Sequence, residues 1–314
     1  DDDGTPGAGQ SFLADRFGSD IEDVVRIGQG EWSTAYAYRH AGGEYVVRFG
    51  RYRDDFAKDR RAAGYRSRDL PIPVIGEIGE AFDGSYAISE RAFGDMIDDL
   101  DAASMRAVLP SLFAALDAAR NVDLANSSGY GLWDSDGIAP WPSWRAALRD
   151  VATDHPTHRT HGWRARLRAS PTGDGPFEDA LDCFQDLLDV CPEERHLIHS
   201  DLLNRNVLVR DGRISAVIDW GCAMYGDFLY DLAWLLFWQP WYPAWRDIDF
   251  QAEAARHFAA IGLEVPHFAA RLRCYQVHIG LDGQAYNAFK GEERWPMLAA
   301  IARRTLALVN PNHR

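Results

Sequence analysis

Up to residue 94 the apolar residues fall in short alternating stretches; beyond it they recur mostly at helical spacing. Val24–Ile27, Ala35–Tyr38, Glu44–Arg48, Val74–Glu80 and Ser85–Ser89 read as strands. Turn chemistry separates them at Gly28–Thr34, at Gly42-Gly43 and at Phe82-Asp83-Gly84. A helix carrying Phe12, Leu13 and Phe17 on one face leads in. A second helix stops at Leu70-Pro71-Ile72-Pro73, because proline lacks the amide hydrogen a helix interior needs.

The second half predicts helices. Val108, Leu112, Ala115, Leu116 and Ala119 recur at helical spacing within Ser104–Asn121. Further helices are expected from Trp144 to Val151 and over Phe177–Val190, Ile248–Ala260, Pro266–Phe289 and Trp295–Val309. From Phe228 to Trp238 the chain is apolar nearly all round, which predicts a buried helix, with Asp227 as its N-cap and Asp231 a scaffold for a neighbouring loop. Residues 126–144 and 153–176 read as loops. The second carries His155, His158 and His161, but its flanking Pro, Thr and Arg favour a solvated surface over a metal site.

One stretch breaks the helical rhythm. Val207–Val209 and Ile214–Ile218 are strand-like and are split by Asp211-Gly212, a strong two-residue hairpin signal. With a tight turn, Asn204 faces Asp219, Asn206 faces Val217, and all four share one face. Asn206 and Asp219 then offer two oxygen ligands to a hard cation such as Mg²⁺, which is completed by phosphate oxygens. Asp201, just upstream, can orient a hydroxyl and accept its proton. His199 is placed to brace that loop. In the Gly-rich turn, exposed backbone amides and the Ser33 hydroxyl suit phosphate oxygens.

Composition narrows the field. A net charge of −14 over 314 residues disfavours nucleic acid and suits a cationic ligand. No apolar run approaches the ~20 residues needed to span a bilayer. Asp1-Asp2-Asp3-Gly4 is unlike a targeting leader. Cys183, Cys191, Cys222 and Cys274 lack metal-ligand spacing, so a reduced, cytoplasmic protein with structural thiols is expected. A monomer is expected as well. The aromatic run Trp238-Gln239-Pro240-Trp241 suits the face of a hydroxylated, cationic sugar.

His199-x-Asp201-x4-Asn206, followed by Ile218-Asp219-Trp220, resembles the core of kinase-like phosphotransferases. Read with Gly30-Glu31-Trp32-Ser33, Leu70-Pro71-Ile72-Pro73 and Phe237-Trp238-Gln239-Pro240-Trp241, it is similar to the aminoglycoside phosphotransferase family over about residues 20–290. The resemblance implies an α+β, protein-kinase-like fold in two lobes. Residues 1–94 form a small β-rich nucleotide-binding lobe with the hinge, and 95–314 a larger, mainly helical catalytic and substrate-binding lobe. It implies transfer of phosphate from ATP, with GTP possible, to a hydroxyl of a cationic aminocyclitol antibiotic, with Mg²⁺ on Asn206 and Asp219. Ser33 and Arg48 would hold phosphates, and Glu90 to Ala92 the adenine edge. Asp201, Asn204, Trp238 and Trp241 would line the drug pocket. Kinase-like folds pair the strand cation with a helical Glu; residues 54–69 contain none, leaving Asp59 or Asp55 as substitutes. A kinase for another small alcohol, or a nucleotide-binding protein without catalysis, are the competing readings.

Overall fold

The computed structural model describes residues 6–30 and 32–310; Asp1–Gly4 and Glu31, both singled out above, lie outside them. Helix α1 (Pro6–Phe17) precedes an antiparallel sheet of β1 (Ile21–Gln29), β2 (Ser33–His40), β3 (Gly43–Gly50), β4 (Ile75–Ala81) and β5 (Gly84–Glu90), in the order β1-β2-β3-β5-β4. Helix α2 (Arg53–Ala63) joins β3 to β4. The alternation seen in the sequence sorts this sheet's two faces. Tyr36, Tyr38, Val47, Phe49, Tyr86 and Ile88 pack with Leu13 of α1. Ala87 and Ile75 pack with Phe56 of α2 on the other face.

The remainder is mainly helical: α3 (Ala102–Arg120), α4 (Trp144–Arg149), α5 (Trp163–Ala169), α6 (Gly175–Leu187), α7 (Leu229–Trp238), α8 (Phe250–Ala260), α9 (Phe268–Lys290) and α10 (Trp295–Val309). Helix α9 is the axis. Its neighbours α5, α6, α7 and α10 all pack on it. Gly280 lets α10 come close: a Cβ there would lie 2.1 Å from Thr305 Oγ1. Two small three-stranded sheets complete the body. In one, β9 (Val207–Arg210) lies between β10 (Arg213–Val217) and β6 (Asp95–Met96). In the other, β11 (Met224–Gly226) lies between β7 (Gly131–Leu132) and β8 (His196–Ile198).

Two expectations need correction, those for segment 153–176 and for Asp227, while the expectation of no bilayer-spanning run stands against helix α3. Segment 153–176 is not all surface, since it holds α5, whose Trp163 and Leu167 are buried. By length and composition alone α3 passes as a membrane span, but its Met105, Val108, Leu109 and Leu112 stripe packs in the core, Asp117 pairs with His257 of α8 at 2.6 Å, and Arg106 is exposed. Asp227 accepts the Leu229 amide at 3.2 Å but is no simple N-cap. Its carboxylate is fully buried and forms a two-pronged pair with Arg271, at 2.7 and 2.9 Å.

Candidate active site

The 207–217 hairpin turns as its sequence requires, with φ of 51° at Asp211 and 71° at Gly212. Its register then departs from expectation. Arg213 opposes Arg210 and Ile214 opposes Val209, but Ala216 opposes Leu208 and Val217 opposes Val207. A bulge at Ser215 takes up one residue. Asn206 therefore lies across from Ile218, whose amide donates to its carbonyl at 2.9 Å, and the shared-face argument fails. The cause is tertiary: Ser215 Oγ turns out to the Phe93 carbonyl at 2.7 Å, beside Gly94, where a Cβ would sit 2.7 Å from that oxygen.

A different device gathers the side chains. Strand β8 runs into His199-Ser200-Asp201, and the buried Asp231 carboxylate of α7 accepts the His199 and Ser200 amides at 2.9 and 2.7 Å. Further on, Asp98 accepts the Asn204 and Arg205 amides at 2.9 and 3.1 Å. Ser200, Asn204, Arg205 and Asp219 all have positive φ, a costly set of conformations that these carboxylates help to fix. Burial holds the His199 imidazole neutral by lowering its pKa. Its Nε2–H donates to the Ile218 carbonyl at 2.9 Å, so Nδ1 accepts the Asp201 amide at 3.2 Å. That one ring joins the loop of Asp201 to the residue before Asp219.

Asn206 Nδ2 donates to the Asp201 carbonyl at 2.7 Å and to its Oδ2 at 3.1 Å. Asn204 Nδ2 approaches the same Oδ2 at 3.4 Å. Burial, and then the Asp219 charge, raise the Asp201 pKa well above the usual carboxylate range. Asp219 is raised too, by burial and by Asp59, against the pull of Arg48. Asp219 remains open to solvent. Two carboxylates whose charges raise each other's cost of ionisation suit a cation between them. Among the described residues no three His, Cys, Asp or Glu gather as a metal cage. Magnesium needs none: it takes one or two protein oxygens and completes its shell with phosphate and water. The Asp219 carboxylate and the Asn206 Oδ1, left free by its engaged amide nitrogen, fit that requirement.

Arg48 donates to Asp59 Oδ2, while Asp59 Oδ1 accepts the Trp220 amide at 2.7 Å. Asp59 thus takes the place of a helical Glu and ties the strand cation to the residue after Asp219. Next to it, the buried Lys58 donates to the Gly221 carbonyl at 2.5 Å. Ser33 lies in the turn closed by the Gly30 amide on its carbonyl, at 2.8 Å. In the connecting segment the Glu90 and Arg91 amides are already spent on Val74 and Glu44, both at 3.1 Å, whereas the Ala92 amide has no backbone partner among the described residues. Trp238 and Trp241 meet edge to face at 5.0 Å, and the buried Trp238 Nε1–H has no acceptor among the described residues. Tyr242 ties that aromatic segment to the loop of Asn204 and Arg205 by donating to Asp98 at 2.9 Å.

The sequence reading assigned no role to three residues. Asp98 carries no motif, and Tyr242 and Asp282 stand out only as members of the runs Gln239–Pro243 and Ile279–Asp282. Asp282 lies in α9 with no hydrogen bond or ion pair among the described residues. Solvent reaches its carboxylate, yet the surrounding protein pushes its pKa up to about 6. Its charge is felt at Cys222, as are those of Asp201 and Asp219.

A five-stranded sheet with a phosphate-suited turn, a strand cation tied to a helical acid, and an Asp-x4-Asn loop beside a second Asp define a phosphotransferase with the protein-kinase-like fold. Residues 23–263 match the phosphotransferase enzyme family, and the chain belongs to that family. It is 35% identical to hygromycin-B 4-O-kinase of Escherichia coli over 275 residues, 87% of this chain and 76% of that protein. The crystal structure of aminoglycoside phosphotransferase APH(4)-Ia superposes with a TM-score of 0.85 at 32% identity, covering 99% of this chain and 100% of that one. A thermostable mutant of it, in a ternary complex with AMP-PNP and hygromycin B, gives 0.83 at 33%, over 96% of this chain and 98% of that one. Spectinomycin phosphotransferase shares the fold, with a TM-score of 0.60 at 14% identity over 95% of this chain and 96% of that one.

Proposed function

We propose that this protein transfers the γ-phosphate of ATP to a hydroxyl of an aminocyclitol antibiotic, hygromycin B first among them, and so confers resistance. The observation that carries the reading is the desolvated Asp201, oriented by Asn206 and set beside the second carboxylate, Asp219. The 35% identity to hygromycin-B 4-O-kinase supports the choice of substrate. Residues 1–94 would bind the nucleotide and 95–314 the antibiotic.

In this reading Asp201 orients the acceptor hydroxyl and takes its proton late in transfer. Its raised pKa suits a base that must receive a proton near neutral pH. Asn206 and Asp219 would hold magnesium, which when bound neutralises phosphate charge. Arg48 and the backbone amides and Ser33 hydroxyl of the Gly-rich turn hold the phosphates. The Ala92 amide faces the adenine edge. Asp282 supplies the anion for a substrate ammonium, Trp238 and Trp241 a wall for the sugar face, and Asn204 a polar contact beside Asp201. Positioning and electrostatics supply most of the rate gain, since phosphoryl transfer needs little covalent help from the protein.

An ATP-coupled assay of the purified protein against hygromycin B, other aminoglycosides, spectinomycin and a macrolide tests this. Antibiotic-dependent ADP release with hygromycin B is expected. ATP consumption with a macrolide alone, or with none of them, contradicts it.

A further inference from the structure

Residues 154–164 form a pinched loop. At its neck the Asp154 carboxylate accepts the Gly162 amide at 2.9 Å and the Arg164 amide at 3.2 Å. Just beyond, Trp163 and Leu167 anchor α5 in the helical body. At its far side Arg159 reaches across to the sheet-bearing half of the molecule. Its guanidinium grips Asp55 of α2 with two prongs, at 2.8 and 2.9 Å, and lies 3.6 Å from the centre of the Tyr52 ring. Trp32, in the Gly-rich turn, packs edge-on to Tyr52 at 5.7 Å and lies 5.9 Å from the same guanidinium. Lys290, the last residue of α9, comes to 5.7 Å of the Trp32 ring.

Asp55 sits one helical turn before Asp59, the partner of Arg48. It also borders the Asp219 segment, for a Cβ on Gly221 would lie 3.8 Å from Asp55 Cγ and 3.4 Å from Asp219 Oδ1. The Arg159 contact therefore links the helical body, the helix that carries Asp59, and the turn that would hold the phosphates.

We propose that Arg159 is a positioning residue for phosphoryl transfer: its fork on Asp55 and its stacking on Tyr52 hold α2 and the Gly-rich turn at the separation from Asp219 that the triphosphate needs. The proposal rests on the nucleotide site argued above and not on the identity of the antibiotic. A two-pronged guanidinium–carboxylate pair with a stacked ring is well above a loose surface ion pair in strength, because geometry is fixed and the planar group loses little freedom.

The test is a titration of the full-length protein with a fluorescent ATP analogue in the presence of Mg²⁺, together with kcat and KM for ATP. Arg159→Ala is expected to weaken nucleotide affinity about tenfold and raise KM for ATP in step, while the protein still unfolds in one cooperative transition. Asp55→Ala should do the same. The double variant should be no worse than either single one, since both remove one interaction. Arg159→Lys keeps the charge but loses the fork and the planar stack, so it should recover only part of the affinity. Unchanged nucleotide affinity in Arg159→Ala, or losses that multiply in the double variant, would overturn the proposal. The titration needs no antibiotic, so the substrate assignment can fail without touching this comparison.

Discussion

Asp59→Ala is the sharpest single perturbation of the nucleotide side. The Asp59 side chain is 6% exposed and that of Arg48 17%, so the pair is almost withdrawn from water. Removing the carboxylate leaves a buried guanidinium without its partner and the Trp220 amide without its acceptor. Breaking a buried pair from one side costs about 3–5 kcal/mol, most of it the penalty of the stranded charge. The freed amide is already within that range, since the two losses share one cavity and do not add. Urea unfolding followed by tryptophan fluorescence measures the loss, and the nucleotide titration measures the site. Asp59→Ala should lose about 3–5 kcal/mol of stability and also weaken ATP binding. Arg48→Met with Asp59→Leu removes both charges, so it should recover most of the stability, yet bind ATP no better. A loss below about 1 kcal/mol, the value of an exposed pair, would refute the claim that Asp59 stands in for the helical Glu.

Two other perturbations follow from the structure. Asp282 has a folded pKa of about 6, above its unfolded value of 3.8, so its ionisation opposes folding. Stability should fall as pH rises from 4 through 6, and Asp282→Asn should be the more stable protein at pH 7, with the difference gone below pH 4; in the same window KM for hygromycin B should rise as the pH drops, and Asp282→Asn should weaken that dependence, leaving the part due to Asp201. Arg271→Met strands the fully buried Asp227 carboxylate and should cost about 3–5 kcal/mol in urea unfolding, without changing the ATP affinity of the protein that remains folded.

Much of this was legible in the sequence, but for uneven reasons. The strands of the large sheet and the long helices follow from apolar period and from Gly and Pro punctuation. Asp211-Gly212 fixed its turn because positive φ at two successive positions is demanded locally. The Ser215 bulge was not legible, because its cause is the Phe93 carbonyl, 122 residues away in sequence. The four strands of two or three residues, β6, β7, β8 and β11, were invisible for lack of period. Helix α5 was hidden by the polar, Pro-rich run around it. The spacing of Asp201, Asn206 and Asp219 pointed to a shared site, although the strand parity offered to explain it was wrong. The ring of His199 and the carboxylates of Asp231 and Asp98 hold that loop instead, and only tertiary structure brings those groups together.

The central claim is that Asp201 receives the proton of the hydroxyl that attacks ATP. It is tested most directly by steady-state turnover of hygromycin B by Asp201→Asn, with ATP affinity measured on the same preparation. The isosteric amide keeps the shape of the site and cannot accept the proton. Turnover should fall by about 100-fold or more while ATP affinity stays within about threefold of the parent. A variant that binds ATP and still phosphorylates the antibiotic at the parent rate would contradict the account.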